Sequence, residues 1–173
     1  MSASFLLKPA PRKFLLRFFT VFFLVEVFLS IFPPVYLQEW LAQTIGSVLH
    51  VPVNGIFLSV NGIAFEISAF CTGITTWGLW LGLSYGFSFP RGAKKLTYAL
   101  IALAAILFVN FFRLLAIVYV GKVSYFAAVD MLHVITWFVM SALVMGTWYL
   151  MLSVYLKTTD SKKIALFLLH EKK

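Results

Sequence analysis

The chain has 173 residues, of which 62% are hydrophobic, 18% aromatic and only 12% charged, an apolar share well beyond that of an ordinary soluble domain. Its net charge of +8 comes from Lys and Arg that flank apolar runs and form no single stripe with interleaved aromatics, which argues against a nucleic-acid partner and reads as membrane topology. One cysteine excludes an internal disulfide, and three histidines without CxxC or HxxxH spacing argue against a metal site, so neither metal nor cofactor is expected.

Lys8, Arg12, Lys13 and Arg17 lead into a first apolar run over 14–32. It is long enough to span, and no small-residue cleavage site closely follows it, so it reads as an uncleaved anchor. Glu26 lies midway along it and is assigned no role. "YLQEWLAQTIGSVLH", residues 36–50, reads as a short amphipathic helix at the interface with Trp40 as its anchor. Next, "GIFLSVNGIAFEIS" carries a two-residue Asn61-Gly62 turn, which sets Val60 opposite Ile63, Leu58 opposite Phe65 and Ile56 opposite Ile67. These six side chains share one face. A hairpin alone is marginal, so that face is expected to lie on the bundle top or the bilayer interface.

Three further apolar runs follow, over about 72–89, 96–120 and 131–156. The expected fold is an all-α polytopic membrane protein. One domain over 1–173 bundles about four transmembrane helices, with an outward-facing β-hairpin before the second. Lys and Arg gather near the N-terminus, at Arg91, Lys94 and Lys95, and at Lys157, Lys162 and Lys163, whereas 35–71 has none and 121–130 only Lys122. Positive-inside counting places the protein in the cell (cytoplasmic) membrane with both termini cytoplasmic and 35–70 outside. The tail over 157–173, with "KKIALFLLHEKK" too short to span, is expected on the cytoplasmic surface.

Polar residues inside apolar runs are functional hypotheses by default. Cys71 sits where the hairpin meets the second run. Arg113 lies about seven residues, or roughly 10 Å, below the outer end of the third. His133 is at the outer start of the fourth, with Asp130 three residues before it to cap that helix or orient the imidazole. The crossings bring Cys71, Arg113 and His133 to one outward level. A thiol reacts as thiolate, and a cation and a helix N-terminus both favour that form. A permanent charge, a proton carrier and a covalent thioester together describe acyl transfer. Asn110, one turn inward on the face of Arg113, can hold the guanidinium or a substrate carbonyl. "GLSYG" at 82–86 fits GxSxG, but that motif needs a strand, a sharp turn and a helix, and Ser84 is about 20 Å along the axis from Cys71, so it is rejected. Cys71, Thr75, Gly78 and Gly82 line one helical face, either for close packing or as a groove for a substrate helix.

"AFCTGI", "NFFR" and the later His133 resemble the archaeosortase/exosortase family, which carries a Cys-Ser/Thr-Gly motif, an Asn-x-x-Arg motif and a third His or Arg. The resemblance covers about residues 50–145 and fits a short member. It implies Cys71 as nucleophile, Arg113 as activator or oxyanion stabiliser and His133 as acid/base, with Asn110, Asp130 and Thr72 in support. It further implies exported protein substrates with a C-terminal motif, a transmembrane helix and a basic tail, and transfer to a lipid or surface acceptor. Two other readings stand beside it: a non-enzymatic membrane assembly or chaperone subunit in which Cys71 merely packs, and a small transporter using Glu26 and Arg113 as a relay. A relay wants polar groups through the full depth, whereas these cluster at one end.

Overall fold

The computed structural model describes residues 9–87, 94–124 and 126–160. Five helices and a small sheet follow in chain order: α1 (Pro9–Ile31), α2 (Val35–Leu49), β1 (Val53–Asn54), β2 (Phe57–Val60), β3 (Ile63–Glu66), a 3-10 turn (Ala69–Thr72), α3 (Ile74–Gly86), α4 (Lys94–Val123) and α5 (Phe126–Leu156). Among the described residues three helices are long and apolar enough to cross a membrane: Arg12–Ile31, Lys94–Val123 and Ala128–Leu156. The expected second span over 72–89 is realised as α3, whose 13 residues reach only about 20 Å against a hydrocarbon slab of about 30 Å. Lys8, Arg91 and the tail from 161 onward lie outside the described residues.

α3 sits between the three long helices. Trp80 and Leu83 pack with Ala99, Ala102 and Ile106 of α4 and with Met140, Val144, Trp148 and Leu152 of α5. Lipid tails are as apolar as these side chains, so close packing rather than expulsion of water holds the contacts. Against α1 the closeness is set by glycine. A Cβ added at Gly78 would lie 2.9 Å from Val25, at Gly82 3.0 Å from Phe18, and at Gly86 2.6 Å from Phe14. The small-residue face is therefore a packing seam, and α1 fills the groove that a substrate helix was considered to enter.

At the other end of α3 lies a cap built from α2, the sheet and the last third of α4. The hairpin has the register read from its turn, Val60 with Ile63 and Leu58 with Phe65, and β1 adds a third strand through Val53 with Leu58. Asn61 and Gly62 both take positive φ, 51° and 80°, as this tight turn requires. Leu58, Val60 and Ile67 bury against Leu41, Ala42 and Ile45 of α2 and Leu114 and Val118 of α4. Ile63, paired opposite Val60 on the same face, stays exposed at the turn end of the hairpin. Asn61 Nδ2 donates to the carbonyls of Gly121 and Lys122 at 3.2 and 3.0 Å, closing the end of α4, and Lys122 Nζ donates to the Leu49 carbonyl at 2.6 Å, closing α2. Gln38 Nε2 ties α2 to the end of the hairpin through the Ile67 carbonyl at 2.7 Å.

The two longest helices run antiparallel in a register that fixes depth. Lys94 lies over the Tyr155 ring at 5.7 Å, and Arg113 donates to Thr136, so 19 residues separate the two levels on each helix. That is about 28 Å of axis, close to the thickness of the hydrocarbon slab. Arg113 therefore lies at one boundary when the lysines lie at the other, and residues 114–123 run on into the cap, where Leu114 and Val118 join its core.

Candidate active site

Cys71 occupies the 3-10 turn between β3 and α3, and two hydroxyls shape that turn. Thr72 is fully buried and its Oγ1 donates to the Ala69 carbonyl at 2.7 Å while accepting from the Ile74 amide at 3.4 Å. Ser68 Oγ donates to Cys71 Sγ at 3.3 Å, fixing the position of the sulfur. α3 opens at Ile74, so the thiol precedes its first turn by more than the 72–89 reading implied.

Gly73 connects the turn to α3 with φ +88°, a conformation costing an L-residue about 1–2 kcal/mol. A Cβ there would also stand 3.2 Å from Cβ and Cγ of Asn110. The third letter of Cys-Thr-Gly is thus fixed twice, by backbone shape and by the approach of α4.

That approach lets Asn110 join two of the expected site residues. Its Nδ2 donates to the Cys71 carbonyl at 2.6 Å and its Oδ1 accepts from Arg113 Nη1 at 3.2 Å. Arg113 is 9% exposed and Asn110 1%, so the bond between them is buried and the one to the half-buried Cys71 is partly so. Arg113 Nε donates to Thr136 Oγ1 on α5 at 3.0 Å, and that hydroxyl donates to the His133 carbonyl at 2.9 Å. Nη2 of Arg113 is buried and has no hydrogen-bond partner.

His133 is two turns into α5, which begins at Phe126, so Asp130 does not cap this helix. The imidazole is held instead by Trp137, whose Nε1 donates to His133 Nε2 at 3.0 Å. The Trp137 ring also lies 5.8 Å from Arg113 Cζ, within cation–π range. Trp137 and Thr136 follow His133 by four and three residues and share its helical face, and Ser68 precedes Cys71 by one 3-10 turn. Those spacings are the sequence signals by which these three supporting residues can be found.

Hydrogen bonds thus link the backbone carbonyl of Cys71 through Asn110, Arg113 and Thr136 to the backbone carbonyl of His133 at the boundary between bundle and cap, with Thr72 in the turn beside Cys71. Ser84 is fully buried with its Oγ unpaired and has no part in it. No group of three or more His, Cys, Asp or Glu converges among the described residues.

Comparison with protein families matches residues 4–152 to the transmembrane exosortases. The chain belongs to the transmembrane exosortase family. The match covers every element of the group just described, and it embraces the cap as well as the bundle. No curated protein and no solved structure matched the chain. Membership makes this a membrane protein of a sortase-like class, in accord with its three long apolar helices.

Proposed function

We propose that this exosortase-family protein is a cysteine transpeptidase that works in the membrane as one unit over 1–173, with Cys71 as nucleophile, Arg113 as oxyanion stabiliser and His133 as proton carrier. Its substrates are exported proteins whose C-terminal signal combines a short motif, a transmembrane helix and a basic tail. The Lys/Arg distribution sets the reaction at the outer face of the cell membrane, with both termini and the tail over 157–173 inside.

One observation carries this reading. Arg113 uses Nη1 and Nε to fix itself between Asn110 and Thr136, while Nη2 stays buried and unpaired, and the same Asn110 holds the backbone carbonyl of Cys71. An unsatisfied buried donor costs about 1–3 kcal/mol, and among the described residues Arg113 Nη2 is the buried unpaired donor that carries positive charge. A carbonyl oxygen that becomes negative is the partner such a donor lacks.

The steps follow from the groups present. Sγ of Cys71, deprotonated, attacks the scissile carbonyl carbon, and the carbonyl electrons move to oxygen, where Arg113 Nη2 donates. Collapse breaks the C–N bond, and the leaving amine takes the proton that His133 received from the thiol. A nucleophile on the acceptor then attacks the thioester, loses its proton through His133, and the thiol re-forms. Trp137 occupies the Nε2 lone pair in this structure, so proton uptake at that nitrogen requires the indole bond to open. Trp137 is 40% exposed and has room to turn.

Co-expression of Cys71→Ala or Cys71→Ser with a protein bearing such a C-terminal signal tests the reading. Both variants should accumulate in the membrane as wild type does and leave the signal uncleaved; normal processing by either removes Cys71 from the chemistry.

A further inference from the structure

The end of the bundle remote from Cys71 has two adjoining clefts that the proposed chemistry does not use. One, of about 390 Å³, is lined by Leu16, Arg17, Thr20 and Val21 of α1, Tyr85 of α3 and Lys95 of α4. The other, of about 320 Å³, shares Leu16 and adds Arg12, Leu15 and Phe19. Three cations, Arg12, Arg17 and Lys95, line the pair. Lys95 stands 3.9 Å from the centre of the Tyr85 ring, a cation–π contact that keeps the ammonium at the cleft.

We infer that these clefts hold an anionic phospholipid, its phosphate between Arg17 and Lys95 and its acyl chains along Leu15, Leu16, Phe19 and Val21. The level is right: Lys95 is the second residue of α4, and Arg17 lies five residues into the apolar window Arg12–Ile31, about 7.5 Å, within the reach of a snorkelling arginine to the headgroup region. The chemistry is right as well. A guanidinium, an ammonium and the Thr20 hydroxyl give the donor set that a phosphodiester accepts. Leu16 and Phe19, 68% and 59% exposed, extend the charged pocket into an apolar wall, which suits a lipid and does nothing for a free ion. Such a lipid has a structural consequence. α1 leans on α3 along the glycine seam, and a phosphate shared by Arg17 and Lys95 ties α1 directly to α4.

The site lies 18 residues of α4, about 27 Å, from Arg113, so its loss is read in binding and stability without any substrate. The full chain, purified in neutral detergent, is presented with phosphatidylglycerol, phosphatidylcholine or inorganic phosphate, and retained lipid and thermal unfolding are measured. Wild type should retain phosphatidylglycerol in preference to phosphatidylcholine and unfold at a higher temperature with it, while millimolar inorganic phosphate should leave unfolding unchanged. Arg17→Gln and Lys95→Gln should each weaken retention roughly fivefold, and the double variant about 25-fold. Lys13→Gln removes the same charge from an exposed position of α1 that lines neither cleft, and should retain lipid as wild type does. Equal retention of the two lipids by wild type overturns the inference without recourse to any variant. So does stabilisation by free phosphate alone, unchanged retention in the double variant, or an equal loss in Lys13→Gln, which would reveal a diffuse field in place of a site.

Discussion

Asn110 holds the Cys71 carbonyl with its amide nitrogen and Arg113 with its amide oxygen, so one side chain ties the backbone of the cysteine turn to the guanidinium. Replacement by Asp keeps the size, removes the donor to the Cys71 carbonyl and places an anion on Arg113. Asn110→Asp should remain in the membrane but lose at least about tenfold in processing rate, because the guanidinium then neutralises a fixed carboxylate and stabilises an oxyanion less. Asn110→Leu, which leaves two buried groups unpaired, should also unfold earlier, by about 1–3 kcal/mol per group. Processing at matched membrane levels and thermal unfolding in detergent separate the two effects. An active Asn110→Asp variant would show that the bridge is only structural.

Arg113→Lys keeps a positive charge and loses the fork. One ammonium cannot bond Asn110 Oδ1 and Thr136 Oγ1 and still aim a third donor at substrate. Loss of one oxyanion donor is worth about 2.7–4 kcal/mol, so processing should fall about 100- to 1,000-fold, and further in Arg113→Ala. Full activity in both variants would contradict the role given to Arg113.

Gly73→Ala tests the junction that delivers Cys71. The substitution meets both a positive φ and a 3.2 Å approach to Asn110, so it should destabilise by about 2 kcal/mol and reduce processing more than stability alone explains. Thermal unfolding alongside the processing rate is the check. A variant as stable and active as wild type would show that the turn has another conformation open to it.

Trp137→Phe keeps a ring beside Arg113 and deletes the donor to His133 Nε2. If opening that bond slows proton uptake, the variant should process at least as fast as wild type per molecule, whereas Trp137→Ala, which also strips the cover from Arg113, should be slower. Thr136→Val, nearly isosteric, should lose about tenfold through a mobile guanidinium and leave expression unchanged. Equal rates for wild type, Trp137→Ala and Thr136→Val would remove α5 from the positioning of the site.

Much of this was legible in the chain. The hairpin register follows from a two-residue turn, because Asn61-Gly62 permits only one pairing of the flanking alternation. Cys71, Asn110, Arg113 and His133 stand out because polar residues are costly within apolar runs. The end of α3 was misjudged, since Gly86 marks the stop while Phe87 and Phe89 continue the apolar composition that drew the run out to 89. So was the start of α5 at Phe126, which leaves His133 two turns in and displaces Asp130 from a capping position. Trp137 looked like one more aromatic, and only helical phase with a known His133 singles it out.

Orientation is tested with the cysteine itself, the only one in the chain. A membrane-impermeant maleimide applied to intact cells or spheroplasts should reach half-buried Cys71, while a cysteine placed at Lys94 in a Cys71→Ala background should react only after permeabilisation. Labelling of position 94 from outside would invert the topology.

The central claim is that an acyl group passes through Cys71, and the most direct measurement is the mass of the enzyme–substrate adduct. Membranes holding the full chain and a protein with the C-terminal signal, quenched in acid, should yield a covalent conjugate of the upstream fragment with the enzyme. Hydroxylamine should release it, peptide mapping should assign it to Cys71, and it should be absent from Cys71→Ala. A signal cleaved at the normal rate with no hydroxylamine-sensitive conjugate, or with one mapped to another residue, would contradict the account.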